Sequence, residues 1–334
     1  MKNSLWIKIK TGCFFLAMIT ALVFCDPAEA AIVNTGHQKY SYGEMKTDLK
    51  KLEEKYEENC QVNIIGKSLD KRNLYEVVLG NPEAEKHLLV IANLHAREYM
   101  TVQLCMKQIE YTLSNYNKKI SGSRVSKVLD EVAVHYIPSS NPDGTAISQF
   151  GFGSIRNKKL RNALRRMGGS SRRWKANARG VDLNRNWAAA FRRKGRPGSS
   201  GYHGKKAASE PETKNLVKWV NKLKKKGKIV GVISYHSTGS IIYGRVAGQA
   251  SSRVKKQTKR MTSTARSLTH YRLMPTESLQ AANSCSREYF LYRKAIPCIT
   301  LEVGRGSCPL SSREFPSIWR KHKNLVLREA MLFD

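Results

Sequence analysis

Apolar residues along this chain gather into two kinds of run. Six short stretches, Gln61–Ile65, Leu74–Leu79, His87–Asn93, Val132–Ile137, Lys228–Tyr235 and Pro297–Val303, have the composition of β-strands. Several are apolar almost without interruption, as expected of strands buried on both faces. Between them, apolar residues recur at helical spacing. Val102, Met106, Ile109 and Leu113 form one stripe, and Leu216, Val217, Val220 and Leu223 form another. Ser209-Glu210-Pro211-Glu212 reads as a capping box opening the second helix, and a last helix is expected over Ser317–Leu332. Strands alternating with helices predict a single α/β domain, with a central mixed, mostly parallel sheet flanked by helices. In such sheets ligands bind beyond the carboxyl ends of the strands. No internal repeat or interdomain linker interrupts the pattern, so residues 31–334 read as one catalytic-sized domain.

The stretch from Ser139 to Ala208 breaks this rhythm. It is rich in Gly, Ser, Asn and Arg and has little apolar periodicity, which reads as a long functional loop region. Composition changes the picture mainly through charge. Of 334 residues, 41% are hydrophobic, enough for one large core, and 25% are charged, which excludes disorder by composition. Lys and Arg number 59 against 26 Asp and Glu, for a formal charge of +33. Fifteen basic residues and one acid, Asp182, lie between Arg156 and Arg196, and a second basic run covers Lys222–Lys228. A surface so basic attracts polyanions.

The first thirty residues have the layout of an export signal. Lys2, Lys8 and Lys10 precede an apolar run from Cys13 to Phe24, and small residues lead to Ala30. Cleavage there removes three lysines and two acids and leaves +32. The run is too short to span a bilayer, which takes roughly 20 residues. Bulky Phe24 disfavours lipid attachment at Cys25. The expected mature chain is secreted or extracytoplasmic, has no membrane span, and is suited to a cell-wall location. Its cysteines are Cys60, Cys105, Cys285, Cys298 and Cys308, with no C-x-x-C pair to suggest a thiolate zinc knuckle. The odd number leaves at least one thiol unpaired within the chain, and the last three leave room for one bridge.

The chemistry gathers at strand ends. His95 and Glu98 follow the run ending at Asn93, three residues apart and ahead of a helix. Imidazole and carboxylate at that spacing can grip one divalent ion, although alone the pattern is common. His236 follows a second apolar run, and Glu302 sits in a third. A carboxylate in apolar surroundings is costly unless it is paired or catalytic. Three separate strands therefore deliver ligand-type or base-type residues at the same end. The remaining histidines, His37, His87, His135, His203, His270 and His322, show no paired ligand spacing. H-E-x-x-H, G-x-S-x-G and P-loop motifs are absent.

Five segments in order, His95-Ala96-Arg97-Glu98, Asn141-Pro142-Asp143-Gly144, Gly180 to Trp187, Ser234-Tyr235-His236-Ser237 and Thr300-Leu301-Glu302, resemble the zinc carboxypeptidase family of pancreatic carboxypeptidases A and B, especially its secreted bacterial branch. The resemblance covers most of the chain after about Lys39 and implies a carboxypeptidase-like fold and one zinc ion. It implies that His95, Glu98 and His236 are metal ligands and that Asp182 orients His95. Glu302 would be the general base and Arg97 would polarise the scissile carbonyl. Asn184 and Arg185 would hold the substrate's terminal carboxylate, for which the planar guanidinium fork is suited. Two positions depart from the family. Its oxyanion-stabilising arginine after a tryptophan is replaced by Lys175 after Trp174, which keeps the charge and loses the fork. An ungapped count back from Glu302 puts Gln280 where the family has a substrate-closing tyrosine. The same count puts Arg287 at the floor of the pocket for the terminal side chain, where an arginine favours a substrate carboxylate.

These readings imply a secreted zinc metallocarboxypeptidase that hydrolyses an amide next to a free carboxylate with metal-activated water. Its expected substrates are cell-wall stem peptides of the γ-D-glutamyl–diaminopimelate type. The expected partners are a peptide or peptidoglycan stem peptide and an anionic wall polymer held by the basic surface, with no specific nucleic acid. Two alternatives stand beside this: a general C-terminal carboxypeptidase, and a non-enzymatic polyanion-binding protein on the same fold.

Overall fold

The six apolar runs become strands of one eight-stranded sheet in a computed structural model of the chain, which describes residues 31–275 and 284–334. The expected signal segment lies outside the described residues. The strands are β1 (Cys60–Lys67), β2 (Asn73–Leu79), β3 (Lys86–Ala92), β6 (Val132–Ile137), β7 (Lys228–Ser237), β8 (Ile241–Tyr243), β9 (Arg272–Leu273) and β10 (Cys298–Val303). Between β3 and β6, a separate two-stranded ladder joins β4 (Lys119–Ile120) to β5 (Ser123–Arg124). The helices are α1 (Tyr42–Lys55), α2 (Met100–Ser114), α3 (Val125–Glu131), α4 (Pro142–Phe150), α5 (Lys158–Met167), α6 (Pro211–Lys226), α7 (Ser252–Thr269), the single turn α8 (Ser286–Glu288), α9 (Phe315–His322) and α10 (Leu325–Ala330).

Sheet order is β1-β2-β6-β3-β7-β10-β8-β9. The four central strands, β6, β3, β7 and β10, run parallel, while β1, β2 and β8 pair antiparallel at their flanks. Successive side chains of β3 face opposite layers. Leu88, Val90 and Ala92 enter the core shared with α1, α2 and α3, whereas Leu89 and Ile91 enter the core built with α6 and Trp187. Burial on both faces explains why these strands read as unbroken apolar runs. Each fully buried Leu, Ile or Val contributes about 1.5–3 kcal/mol of transfer free energy. The chain leaves β3 towards β6 on one side and returns to β7 on the other, so β3 and β7 flank a switch point at their carboxyl ends.

Three local expectations change. Helix α6 begins at Pro211 with Glu210 as N-cap and no side-chain cap. The expected capping box does not form because Ser209 Oγ serves Asn186 Nδ2 at 3.0 Å and Glu210 Oε1 at 2.8 Å. The last helix is broken at Lys323-Asn324 into α9 and α10, which lets both His322 and Leu325–Leu327 be buried. The stretch Ser139–Ala208 holds two helices, α4 and α5, with an ordered loop after them. Its polar side chains satisfy one another, which apolar periodicity cannot register. Cys298 and Cys308 are free thiols, so no bridge forms among the three C-terminal cysteines.

Candidate active site

His95 leaves the end of β3 in a loop fixed from several sides. Asn93 adopts a left-handed conformation (φ 59°), tolerable for Asn, and turns the chain. Its Oδ1 accepts from Ser139 Oγ (3.0 Å) and Thr145 Oγ1 (2.6 Å), while its Nδ2 donates to the His95 carbonyl (3.1 Å). Asn141 caps α4 by accepting from Gly144 N (3.0 Å), and its Nδ2 donates to the carbonyls of Leu94 (3.1 Å) and Ala176 (3.3 Å). Gly144 is required there, because a Cβ would stand 2.4 Å from the Ala176 carbonyl oxygen. A backbone bond from Ala96 N to Lys175 O (3.0 Å) completes the stitching. The Asn141 to Gly144 motif thus carries structure: it joins the His95 loop to the segment bearing Lys175.

His236 stands near the end of β7, and Glu302 is its register partner on β10. Three ligand-type side chains converge there. Glu98 Oε1 lies 2.7 Å from His95 Nδ1, Glu98 Oε2 lies 2.9 Å from His236 Nδ1, and the two ring nitrogens are 3.1 Å apart. All three residues are buried, and theirs is the one ligand cluster among the described residues with its atoms all within 4.8 Å. Two imidazole nitrogens facing each other at that distance repel unless one is protonated or a cation lies between them. His95 Nε2 is 3.2 Å from Asp182 Oδ1, and donating there leaves the Nδ1 lone pair for a metal. The donor set of two imidazoles and one carboxylate is one of the three-ligand sets that hold zinc at hydrolytic sites.

The electrostatics agree with this geometry. Burial opposes the charged form of His95, but Glu98 and Asp182 outweigh it and hold the ring above the ordinary value, with Lys175 working against them. His236 is lowered, since burial outweighs its attraction to Glu98. Burial alone would raise Glu98 and Asp182. Both nevertheless stay far below the usual carboxylate range, Glu98 because of the two histidines and Asp182 because of His95, Lys175 and Arg185. Glu302 goes the other way: burial first and then the Glu98 charge push it up to about 8, with His95 and Lys175 pulling down. Its carboxyl group makes no hydrogen bond among the described residues, as a candidate general base requires.

Asp182 connects the metal cluster to the next part of the site. Besides His95, its Oδ1 accepts from Asn184 N (2.9 Å), and Lys175 Nζ lies 3.1 Å from its Oδ2. It therefore caps the turn Leu183–Arg185, which carries both candidate carboxylate-binding residues. Asn184 Oδ1 accepts from Ser286 N (3.0 Å) and Ser286 Oγ (2.8 Å). Arg185 Nη1 donates to the Asn184 carbonyl at 3.2 Å and contacts Cys285 Sγ. Arg97 is half-buried, and its Nε has no partner. Arg287 is 7% exposed, with Nε donating to the Tyr243 carbonyl (3.1 Å), Nη2 to that of Arg245, and Nη1 paired with Glu288 at 2.6 Å. Gln280 lies outside the described residues.

A family model described as zinc carboxypeptidase matches residues 45–324. The chain belongs to the zinc carboxypeptidase family. It is accordingly a zinc metallopeptidase with one zinc ion as cofactor, and His95, Glu98 and His236 are its candidate ligands. The chain is 27% identical over 304 residues to a γ-D-glutamyl-L-diamino acid endopeptidase of Lysinibacillus sphaericus, covering 87% of the chain and 72% of the relative. It is 28% identical over 184 residues to carboxypeptidase A2 of Rattus norvegicus, covering 53% of the chain but only 39% of that protein. Its fold is that of bovine thrombin-activatable fibrinolysis inhibitor, at a TM-score of 0.68 and 20% identity over 88% of this chain and 97% of that one.

Sequence reasoning missed several groups around this zinc carboxypeptidase's site. Ser286 gave no signal, because its importance lies in a contact made across a large sequence gap. Cys308 Sγ stands 3.3 Å from the Arg97 carbonyl and 3.6 Å from Ser237 Oγ, and only the folded chain brings it to the metal cluster. At the other end of β3, away from the site, His87 and His135, which show no paired ligand spacing, meet at 3.0 Å, and His135 Nδ1 is 2.8 Å from Glu76 Oε1.

Proposed function

We propose that this enzyme is an exported peptidase that cuts an amide next to a free carboxylate in cell-wall stem peptides of the γ-D-glutamyl–diaminopimelate type. The observation carrying the hydrolytic part is the meeting of His95, Glu98 and His236 beside Glu302, on adjacent parallel strands. The name and extent of the Lysinibacillus relative support the substrate class. The signal-like residues 1–30 and the basic composition support work outside the membrane in an anionic wall. Among the described residues no helix is long and apolar enough to cross a membrane.

In this reading Asn184 and Arg185 bind the terminal carboxylate, Arg185 through its guanidinium and Asn184 through its free Nδ2, since its Oδ1 is already occupied. That anchor fixes which amide faces the metal cluster. A zinc ion held by His95, Glu98 and His236 supplies Lewis acidity towards water and the scissile carbonyl. Glu302 takes the proton released from water and hands it to the leaving amine. Its raised proton affinity suits both tasks, because a base near neutrality accepts readily and donates readily. Arg97 offers its buried, unpartnered Nε towards the carbonyl oxygen. Lys175 places a positive charge near His95 and Glu302 while ion-paired to Asp182.

One observation favours a general C-terminal carboxypeptidase instead. Arg287, read as the counter-charge for a substrate side-chain carboxylate, is already neutralised by Glu288. Product analysis by mass spectrometry decides between them. Muropeptides should be cut at the γ-D-glutamyl–diaminopimelate bond, while peptides ending in acidic, basic or apolar residues stay intact. Trimming of the ordinary peptides with muropeptides untouched reverses the assignment. Glu302→Gln should reduce turnover at least a thousandfold while retaining one zinc per chain by atomic absorption. Near-normal turnover in that variant removes Glu302 from the base role.

A further inference from the structure

Away from the site, a groove of about 920 Å³ runs between α6 and β1. One wall is a row of lysines on α6: Lys214, Lys218, Lys222 and Lys225. All four are exposed, and none has a carboxylate partner among the described residues. They recur every three or four residues, so they form a single stripe. At 1.5 Å of rise per residue, a four-residue step sets successive charges about 6 Å apart along the helix. That is close to the span of one glycerol-phosphate repeat. At the N-terminal end of α6, the stripe passes through Lys214 into a second cavity of about 360 Å³, which Lys67, Lys71 and Arg179 also line.

The direction of this track matters. Helix α6 leads through Gly227 directly into β7 and packs back along the sheet, so its N-terminus lies at the end where β7 delivers His236. Arg179, at the far end of the track, stands just before Asp182, the residue that holds His95. The row of cations therefore begins at the remote end of the sheet and finishes on the catalytic side.

We propose that this track binds a linear phosphodiester polymer of polyol-phosphate type and so tethers the enzyme beside its substrate. The occupant follows from charge and from what the groove lacks. Four unpaired lysines in line match a regularly spaced polyanion. A nucleic acid would also meet the charge, but its bases need aromatic faces to stack on. The aromatic rings lining the groove, Trp219 and His135, are 4% and 2% exposed and both are bonded to Glu76, so neither offers such a face. The inference builds on the wall-facing reading of the basic surface and does not depend on which amide bond is cut.

The test is binding of fluorescent poly(glycerol phosphate) by anisotropy, over a range of sodium chloride. The zinc-loaded enzyme is compared with K214Q/K218Q/K222Q/K225Q and with a control altered on other faces, K46Q/K127Q/K256Q/K259Q. At 0.15 M salt the groove variant should bind at least tenfold more weakly, and the control should stay within twofold of the parent. The log–log salt slope of the groove variant should be shallower by about 3, for four lost phosphate contacts. Both variants should hydrolyse whichever short soluble substrate the parent cuts, stem peptide or ordinary peptide, at the parent rate, so failure of the substrate assignment is seen separately from failure of binding. Equal weakening in both variants, or in neither, overturns the proposal. So does an oligo(dT) of equal phosphate number that binds the parent as tightly and is lost from the same variant.

Discussion

Asn184 shows how a single side chain is given a direction. An amide can present either end to a ligand. Here both donors of Ser286 occupy Oδ1, so Nδ2 is the end left for the proposed substrate carboxylate. Ser286→Ala should raise KM for carboxylate-bearing substrates about two- to tenfold, the effect of one lost neutral hydrogen bond, with kcat within twofold. Ser286→Thr should restore the parent KM. A fall in kcat with KM unchanged would show that Ser286 does not act through the anchor. Sequence could not reveal this contact, because residues 184 and 286 meet only in the folded chain. The candidate ligands and the candidate base stood out for the opposite reason: His95, His236 and Glu302 each follow or close an apolar run, where a polar group is conspicuous. Asp182 became meaningful only through resemblance, since one acid in a basic stretch reads equally well as solvated.

At the scale of elements, strands were legible and their partners were not. Unbroken apolar runs announced β3, β7 and β10, whereas β8 and β9 span three and two residues and carry too little pattern. Sheet order also created pairs that no spacing predicts. Glu76 on β2, His135 on β6 and Trp219 on α6 form one buried cluster, with Glu76 held below its ordinary value: burial raises it, and His135 and Trp219 outweigh that. Asp70 is lowered as well; burial raises it, and the backbone of Arg156 and Asn157 together with Arg72 overcomes this. A depressed carboxylate contributes stability above its unfolded value of about 4, and that stability is lost as pH falls below it. Glu212 at the start of α6 has the reverse sign. Burial, then Asp143 and Glu210, push it up to about 8. Its contribution is complete below pH about 4.5 and is lost progressively as pH rises to about 8, because the unfolded chain sheds that proton first. Thermal melts from pH 5 to 8 should show the Tm declining, and Glu212→Gln should make the decline shallower. An unchanged slope would mean that Glu212 is ionised in the folded protein.

For the whole molecule, the candidate metal cluster joins the loop after β3 to the end of β7. Zinc binds the folded arrangement and not the separated strands, so chelation should lower the Tm as well as stop hydrolysis, and added zinc should restore both. With free zinc at a thousand times its Kd, the stabilisation is about 4 kcal/mol. Calorimetry of the loaded and stripped enzyme measures it, and equal melting temperatures would place the metal elsewhere. The α/β class and mostly parallel sheet were legible because alternating elements admit few arrangements. Charge could be counted in the sequence but not placed: the lysines of α6 become a track only when one helix face turns outwards.

Strand order also divides the site between early and late parts of the chain. Both histidines and Glu98 belong to segments finished by Ser237, whereas Glu302 is carried by β10, whose slot beside β7 fills late in the chain. In chain order, the candidate ligands precede the candidate proton acceptor by more than sixty residues. A chain that ends before β10 would therefore contain every candidate ligand and lack the candidate base.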